Sequence, residues 1–298
     1  MKTRIFAQFG LALALLLGLS GGAEAADKIK AIASFSILGD MVRQVGGDRV
    51  EVAALVGSDG DAHVYEPTPA DAKNLSAANI LFVNGLGFEG WMDRLENSSG
   101  FKGKVVVASH GVKSRQMVED EKKITDPHAW QSLANGKLYV ANIRDGLIAV
   151  DPDGRATYEA NAAKYLGEIA GEEASVKQAL DKLPPERRKI ITSHDAFGYF
   201  GAAYGLEVIA PEGVSTESEA SAKDVAKIIR QIKAEKIPAV FMENITDHRL
   251  LKQIAHETGA KIGGTLYTDA LSQPDGPAGT YLDMFRNNIE TLTAALSS

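Results

Sequence analysis

Apolar and polar positions alternate along this chain in two rhythms. Short runs rich in β-branched and apolar residues, Ile29 to Phe35, Val50 to Leu55, Ile80 to Val83 and Lys104 to Ala108, have the length of strands. Between them, Ile37 to Val45, Ala70 to Ala78 and Trp91 to Asn97 carry their apolar positions at helical spacing. Strand, helix and strand in this order predict βαβ units and a first α/β lobe with about four parallel strands. The rhythm returns later. Strands are expected at Lys189 to Thr192, Leu206 to Ile209, Ala239 to Met242 and Lys261 to Gly264. Helices are expected at Ala196 to Tyr204, Ala222 to Glu235 and Asp247 to Glu257, with a terminal one from about Tyr281. The fold class is therefore α/β, two similar lobes with four-stranded parallel sheets. Ile32 to Gly39 and Ile191 to Gly198 match in hydropathy, an echo between the two halves.

Between the lobes, Asp151-Pro152 marks a helix start, because Asp caps well and Pro is favoured in the first turn. Tyr158, Ala162, Tyr165, Leu166, Ile169 and Leu180 keep helical spacing until Pro184-Pro185 ends it. About 30 residues at 1.5 Å each make a rod on the order of 45 Å, a brace joining the lobes. The alternative is two shorter helices broken near Gly171. The expected division is a signal segment at 1–25, an N-terminal lobe at 26–150, the connecting helix at 151–183 and a C-terminal lobe at 184–298. Residues 110–127 are polar, with Glu119 to Lys123 all charged, and read as an exposed, mobile loop leading into Asp126-Pro127-His128. Helix resumes at about Asn135.

Composition narrows the setting. Lys2 and Arg4 precede the apolar run Leu11 to Leu19 and the small-residue site Ala23-Glu24-Ala25, the pattern of a cleavable secretory signal, with an N-terminal membrane anchor as the alternative. Cleavage there leaves a chain more acidic than the full sequence's net −7, a poor partner for nucleic acid. Cysteine is absent, so disulfides, thiolate metal sites and an acylated N-terminal cysteine are excluded from these residues. A freely soluble periplasmic product is expected.

Of six histidines, three sit where a parallel α/β sheet presents ligand groups, beyond the carboxyl ends of strands. His63 follows the strand ending at Leu55, His128 the one ending at Ala108, and His194 the one ending at Thr192. Asp269 stands a few residues past the strand ending at Gly264. Each histidine alone reads more readily as a solvated turn residue or a helix cap. Together, four groups from two lobes can meet at one point, and imidazoles with a carboxylate suit a four-coordinate zinc ion.

The strings around these residues carry a resemblance. Gly60-Asp61-Ala62-His63-Val64-Tyr65-Glu66-Pro67-Thr68-Pro69, Asp126-Pro127-His128-Ala129-Trp130, Ser193-His194-Asp195-Ala196-Phe197-Gly198-Tyr199-Phe200 and Thr268-Asp269-Ala270-Leu271-Ser272 resemble motifs of the zinc- and manganese-binding solute receptors of ABC importers, over essentially the whole mature chain. The resemblance implies two α/β lobes joined by one rigid helix, a Zn2+ ion held between them by His63, His128, His194 and Asp269, and delivery to an importer permease in the inner membrane. Manganese members typically carry Glu where this chain has His194, which tilts the cargo from Mn2+ to Zn2+. Many zinc members have a histidine-rich insertion before the second ligand; here that loop has only His110 and several carboxylates. Docking of a periplasmic metal-donor protein at the loop is the lesser reading.

Asp195 and Glu243 are candidates to orient the ligands, since ligating histidines usually donate their second N–H to a partner. His110, His248 and His256 match no motif and are expected at the surface. A secreted zinc hydrolase is the rival from another class: it needs an open coordination position and a general base, and no H-E-x-x-H or nucleophile elbow is present. A monomer is expected, because one transporter must meet both lobes.

Overall fold

The computed structural model describes residues 27–119, 122–218 and 220–297, so the expected signal segment lies outside the described residues. The first half runs β1 (Ile29–Phe35), α1 (Ser36–Gly46), β2 (Val50–Val56), α2 (Pro69–Ser76), β3 (Ile80–Val83), α3 (Met92–Ser99), β4 (Lys104–Val107), β5 (Arg115–Glu119), β6 (Lys122–Asp126) and α4 (Leu133–Val150). After α5 (Arg155–Asp181) come β7 (Lys189–Ile191), α6 (Gly198–Tyr204), β8 (Glu207–Ile209), α7 (Ala222–Glu235), β9 (Ala239–Glu243), α8 (Arg249–Thr258), β10 (Lys261–Leu266) and α9 (Tyr281–Leu296).

Two parallel four-stranded sheets form, ordered β2-β1-β3-β4 and β10-β9-β7-β8. Counted from each sheet's own first strand, both orders are 2-1-3-4, so the halves share one topology. Chain direction across each sheet reverses beside that first strand, and the crevice this leaves at the strands' carboxyl ends is where open α/β sheets place ligands. Central strands are buried and largely apolar: Ile80, Leu81, Phe82 and Val83 are all buried, as are Ala31 to Phe35, where Ser34 is the one polar residue. Such a run, covered by helices on both faces, cannot alternate.

The brace is a single 27-residue α-helix. Its buried stripe, Tyr158, Ala162, Tyr165, Ile169, Val176 and Leu180, packs on α1 and α4 from the first half and on α9 from the second. Gly171 does not break it, because packing along that stripe outweighs roughly 1 kcal/mol of glycine helix cost. The start differs from expectation. Pro152–Gly154 forms a 3-10 turn, the α-helix begins at Arg155, and Asp151 caps nothing. Its carboxylate instead accepts Arg49 Nε at 2.8 Å, Arg49 Nη2 at 3.0 Å and Tyr158 Oη at 2.6 Å, which pins the start of the brace to the turn between α1 and β2.

Residues 110–127 also depart from the expected loop. They hold an antiparallel hairpin, β5 on β6, with Met117 opposite Ile124. Within the charged run Glu119 pairs with Lys122, and the β-formers Val118, Ile124 and Thr125 lie in the same strands. Apolar packing is continuous between the halves: Phe35 and Trp130 share one core with Phe241, Tyr281 and Phe285. A separate small core, around Ile228, Ile232, Leu251 and Ile254, lies on the outer face of the second sheet.

Candidate metal centre

Each predicted ligand is set by short-range chemistry. His63 lies in the loop from β2 to α2. The far end of that loop is fixed by a capping box, with Asp71 N–H donating to Thr68 Oγ1 at 3.3 Å and Thr68 N–H to Asp71 Oδ2 at 2.7 Å. Nearer the histidine, its own N–H donates to Asp61 Oδ1 at 2.9 Å, and Trp91 Nε1 donates to the Ala62 carbonyl at 2.8 Å. His128 follows β6, its N–H donating to Asp126 Oδ1 at 3.0 Å, while Asn84 Nδ2 holds the preceding Pro127 carbonyl at 2.9 Å. His194 and Asp269 lie just beyond β7 and β10. Trp130 Nε1 and Gln131 Nε2 both donate to the Thr268 carbonyl, at 2.9 and 2.7 Å, tying the Asp269 loop to the other half.

The four side chains converge. Asp269 Oδ2 lies 3.1 Å from His63 Nε2, 3.1 Å from His194 Nε2 and 3.6 Å from His128 Nε2, and one donor atom from each residue falls within 4.8 Å of all the others. Nε2 atoms of His63 and His128 are 3.3 Å apart. Three imidazole nitrogens around one carboxylate oxygen need protons or a cation between them. The other oxygen, Asp269 Oδ1, is buried without a hydrogen-bond partner, so the donor set fits a divalent cation. His128, His194 and Asp269 are wholly buried, and His63 retains only 5% side-chain exposure. Phe88 and Trp130 wall the His63 and His128 rings, with centroids 4.8 Å (His63 to Phe88) and 5.3 Å (His128 to Trp130) apart. Such walls exclude water and strengthen each electrostatic contact.

Burial disfavours every charge here, and the contacts decide which charges persist. For His128 the burial penalty is overcome by the Asp269 charge and the Asp126 hydrogen bond, raising its pKa to about 9. His194 is likewise raised well above the ordinary imidazole value despite burial, by Glu243 and Asp269. His63 is lowered, burial outweighing its Asp269 contact. Asp269 is held well below the carboxylate range, because the surrounding imidazoles overcome its burial.

Glu243 and Asp126 place carboxylates beside the Nδ1 atoms of His194 and His128. Glu243 Oε2 lies 2.5 Å from His194 Nδ1, while its Oε1 accepts from Ser193 N–H at 2.7 Å and His194 N–H at 2.9 Å. Asp126 Oδ1 lies 3.0 Å from His128 Nδ1, so that an Nδ1–H donated to it leaves Nε2 free to ligate. Asp195 shows no hydrogen bond to an imidazole among the described residues; it lines a neighbouring cavity of about 470 Å³ with Met117 and Pro211, and burial beside Asp126 raises its pKa. The signal for Asp126 was in its position, two residues before His128, where one carboxylate reaches both the following backbone N–H and the ring. His110 and His256 are exposed, whereas His248 is half-buried, its Nε2 2.9 Å from the Glu243 carbonyl.

Compared with known proteins, residues 32–295 match the family model ZnuA, zinc-uptake complex component A, periplasmic. The chain belongs to this family. Its members are metal-binding receptors of ABC importers, not enzymes, and the hydrolase reading is set aside. The manganese-binding lipoprotein MntA of Halalkalibacterium halodurans is 34% identical over 279 residues, spanning 93% of this chain and 92% of that one. A Mn-bound periplasmic metal binding protein from Candidatus Liberibacter asiaticus superposes with a TM-score of 0.82 at 33% identity, covering 90% of this chain and 100% of that one. The periplasmic zinc binding protein TroA from Treponema pallidum gives 0.85 at 30% identity, covering 90% and 99%.

Proposed function

We propose that this receptor captures zinc with high affinity through His63, His128, His194 and Asp269 and delivers it to the permease of an ABC importer. The observation that carries the reading is the convergence of three imidazole nitrogens on one buried carboxylate oxygen. Four protein donors complete a tetrahedral zinc shell, and a nitrogen-rich set favours zinc over manganese in the general affinity order. Manganese is the second reading, favoured by the names of MntA and of the Mn-bound structural relative.

The compartment proposed is the periplasm, reached by cleavage of residues 1–25, with one receptor molecule acting as a monomer. Among the described residues no helix is long and apolar enough to cross a membrane. MntA is named a lipoprotein; the 298 residues here contain no cysteine, so none of them takes a thioether-linked lipid. As domains we propose 26–150, the brace at 151–183, and 184–298. Loading by a metal-donor protein is kept as a lesser proposal, with the β5–β6 hairpin as its docking element.

Exchanging one imidazole for a carboxylate tests the cargo. His194→Glu should lower the ratio of zinc to manganese affinity by about tenfold or more, measured by chelator competition. An unchanged ratio contradicts the role given to the third imidazole.

A further inference from the structure

The loop that carries His63 is held against the opposite half by three hydrogen bonds. Asp59 N–H donates to the Leu271 carbonyl at 2.9 Å, Asn244 Nδ2 donates to Asp59 Oδ1 at 3.0 Å, and Thr216 Oγ1 donates to Asp61 Oδ2 at 2.6 Å. Asp59 takes a left-handed φ of 55° to make both of its contacts. Asp61 holds both sides at once, since its other oxygen accepts the His63 N–H at 2.9 Å. Its carboxylate therefore links the backbone of a ligand to the segment before α7. His63 is also the only one of the four ligands with solvent exposure. Outside the Asp61 to Thr216 bond lies a cavity of about 450 Å³, lined by both residues and by Thr246 and Leu250.

We infer that the 57–68 loop is the gate of the metal site and that the Asp61 to Thr216 bond is its latch, with Asp61 a positioning residue for His63. A transporter that engages the 213–218 segment and draws Thr216 away frees Asp61, withdraws His63 and leaves the ion with three buried ligands. Release then begins from the exposed edge, with the core of the molecule intact. The inference rests on the proposed metal reading.

The test measures release and capture of zinc separately, by stopped-flow with a chromophoric chelator, in the wild type and in Thr216→Val, Thr216→Ser and Asp61→Asn. Thr216→Val and Asp61→Asn should release zinc about tenfold faster or more, with capture changed less than threefold and the melting temperature of the metal-free protein unchanged. Thr216→Ser, which restores the hydroxyl, should restore slow release. Unchanged release in Thr216→Val, or a serine variant as fast as the valine one, overturns the latch. If the wild type itself binds no zinc, it is the metal reading that fails.

Discussion

Asp269 Oδ2 faces three Nε2 atoms, so protons and metal compete for one small volume. With His128 at about 9 and His194 well above its ordinary value, zinc must displace protons from both near neutral pH. Uptake at pH 7.5 should release protons, read from the dependence of titration enthalpy on buffer ionisation, and apparent affinity should climb with pH. The same shift bears on the metal-free fold. A histidine raised from 6.5 to about 9 adds stability that is fully present below pH 6.5 and is lost as pH rises through 9. Melting temperature of the stripped protein should fall from pH 7 to pH 10, and zinc-loaded protein should show a smaller fall. Asp126→Ala removes the partner of His128 Nδ1 and should weaken zinc binding by about 10- to 100-fold with the fold retained. The convergence of His63, His128, His194 and Asp269 was legible in the sequence because each follows a strand end, where side chains of a parallel sheet meet ligands. Glu243 was legible for the same reason. Asp195, adjacent to His194 in the turn after β7, lines a neighbouring cavity, whereas the ring of His194 meets Asp269.

At the scale of elements, two glycines with opposite surroundings separate packing from propensity. A Cβ on Gly198, at the start of α6, would stand 2.5 Å from Asp126 Oδ2 and 2.9 Å from Arg115 Nε. Gly198→Ala should push Asp126 off His128 and weaken zinc binding several-fold, measured by competition. Gly171 in α5 has nothing within 4 Å of such a Cβ, and Gly171→Ala should stabilise the protein by about 0.5–1 kcal/mol without touching metal affinity. Calorimetry checks the second, and a loss of stability there would contradict the unbroken solvated face of the brace. Most elements were legible: an all-apolar run such as Ile80 to Val83 fits only a central strand, and Ala222 to Glu235 reads directly from its periodicity. The β5–β6 hairpin was hidden by the run of charged residues in its sequence, Glu119 to Lys123. Asp151 looked like a cap because its sequence position allows one, but Arg49, 102 residues away in the chain, takes its carboxylate instead. No local pattern announces that pairing.

For the whole molecule, α5 packs on helices of both halves, and one apolar core runs between them. Wide opening would expose that core, so release should proceed by loop movement and small rotation. Radii of gyration of stripped and loaded protein, from small-angle scattering, should agree within about 1 Å, and a larger expansion on metal removal would contradict the rigid brace. The central claim is that four side chains from two halves close around one zinc ion. Its most direct test is competition titration of the chelator-stripped protein with zinc and with manganese, alongside His194→Ala and Asp269→Ala. The account predicts one tight zinc equivalent, weaker manganese, and loss of affinity in both variants. Tighter manganese than zinc, or zinc binding indifferent to Asp269, would contradict it.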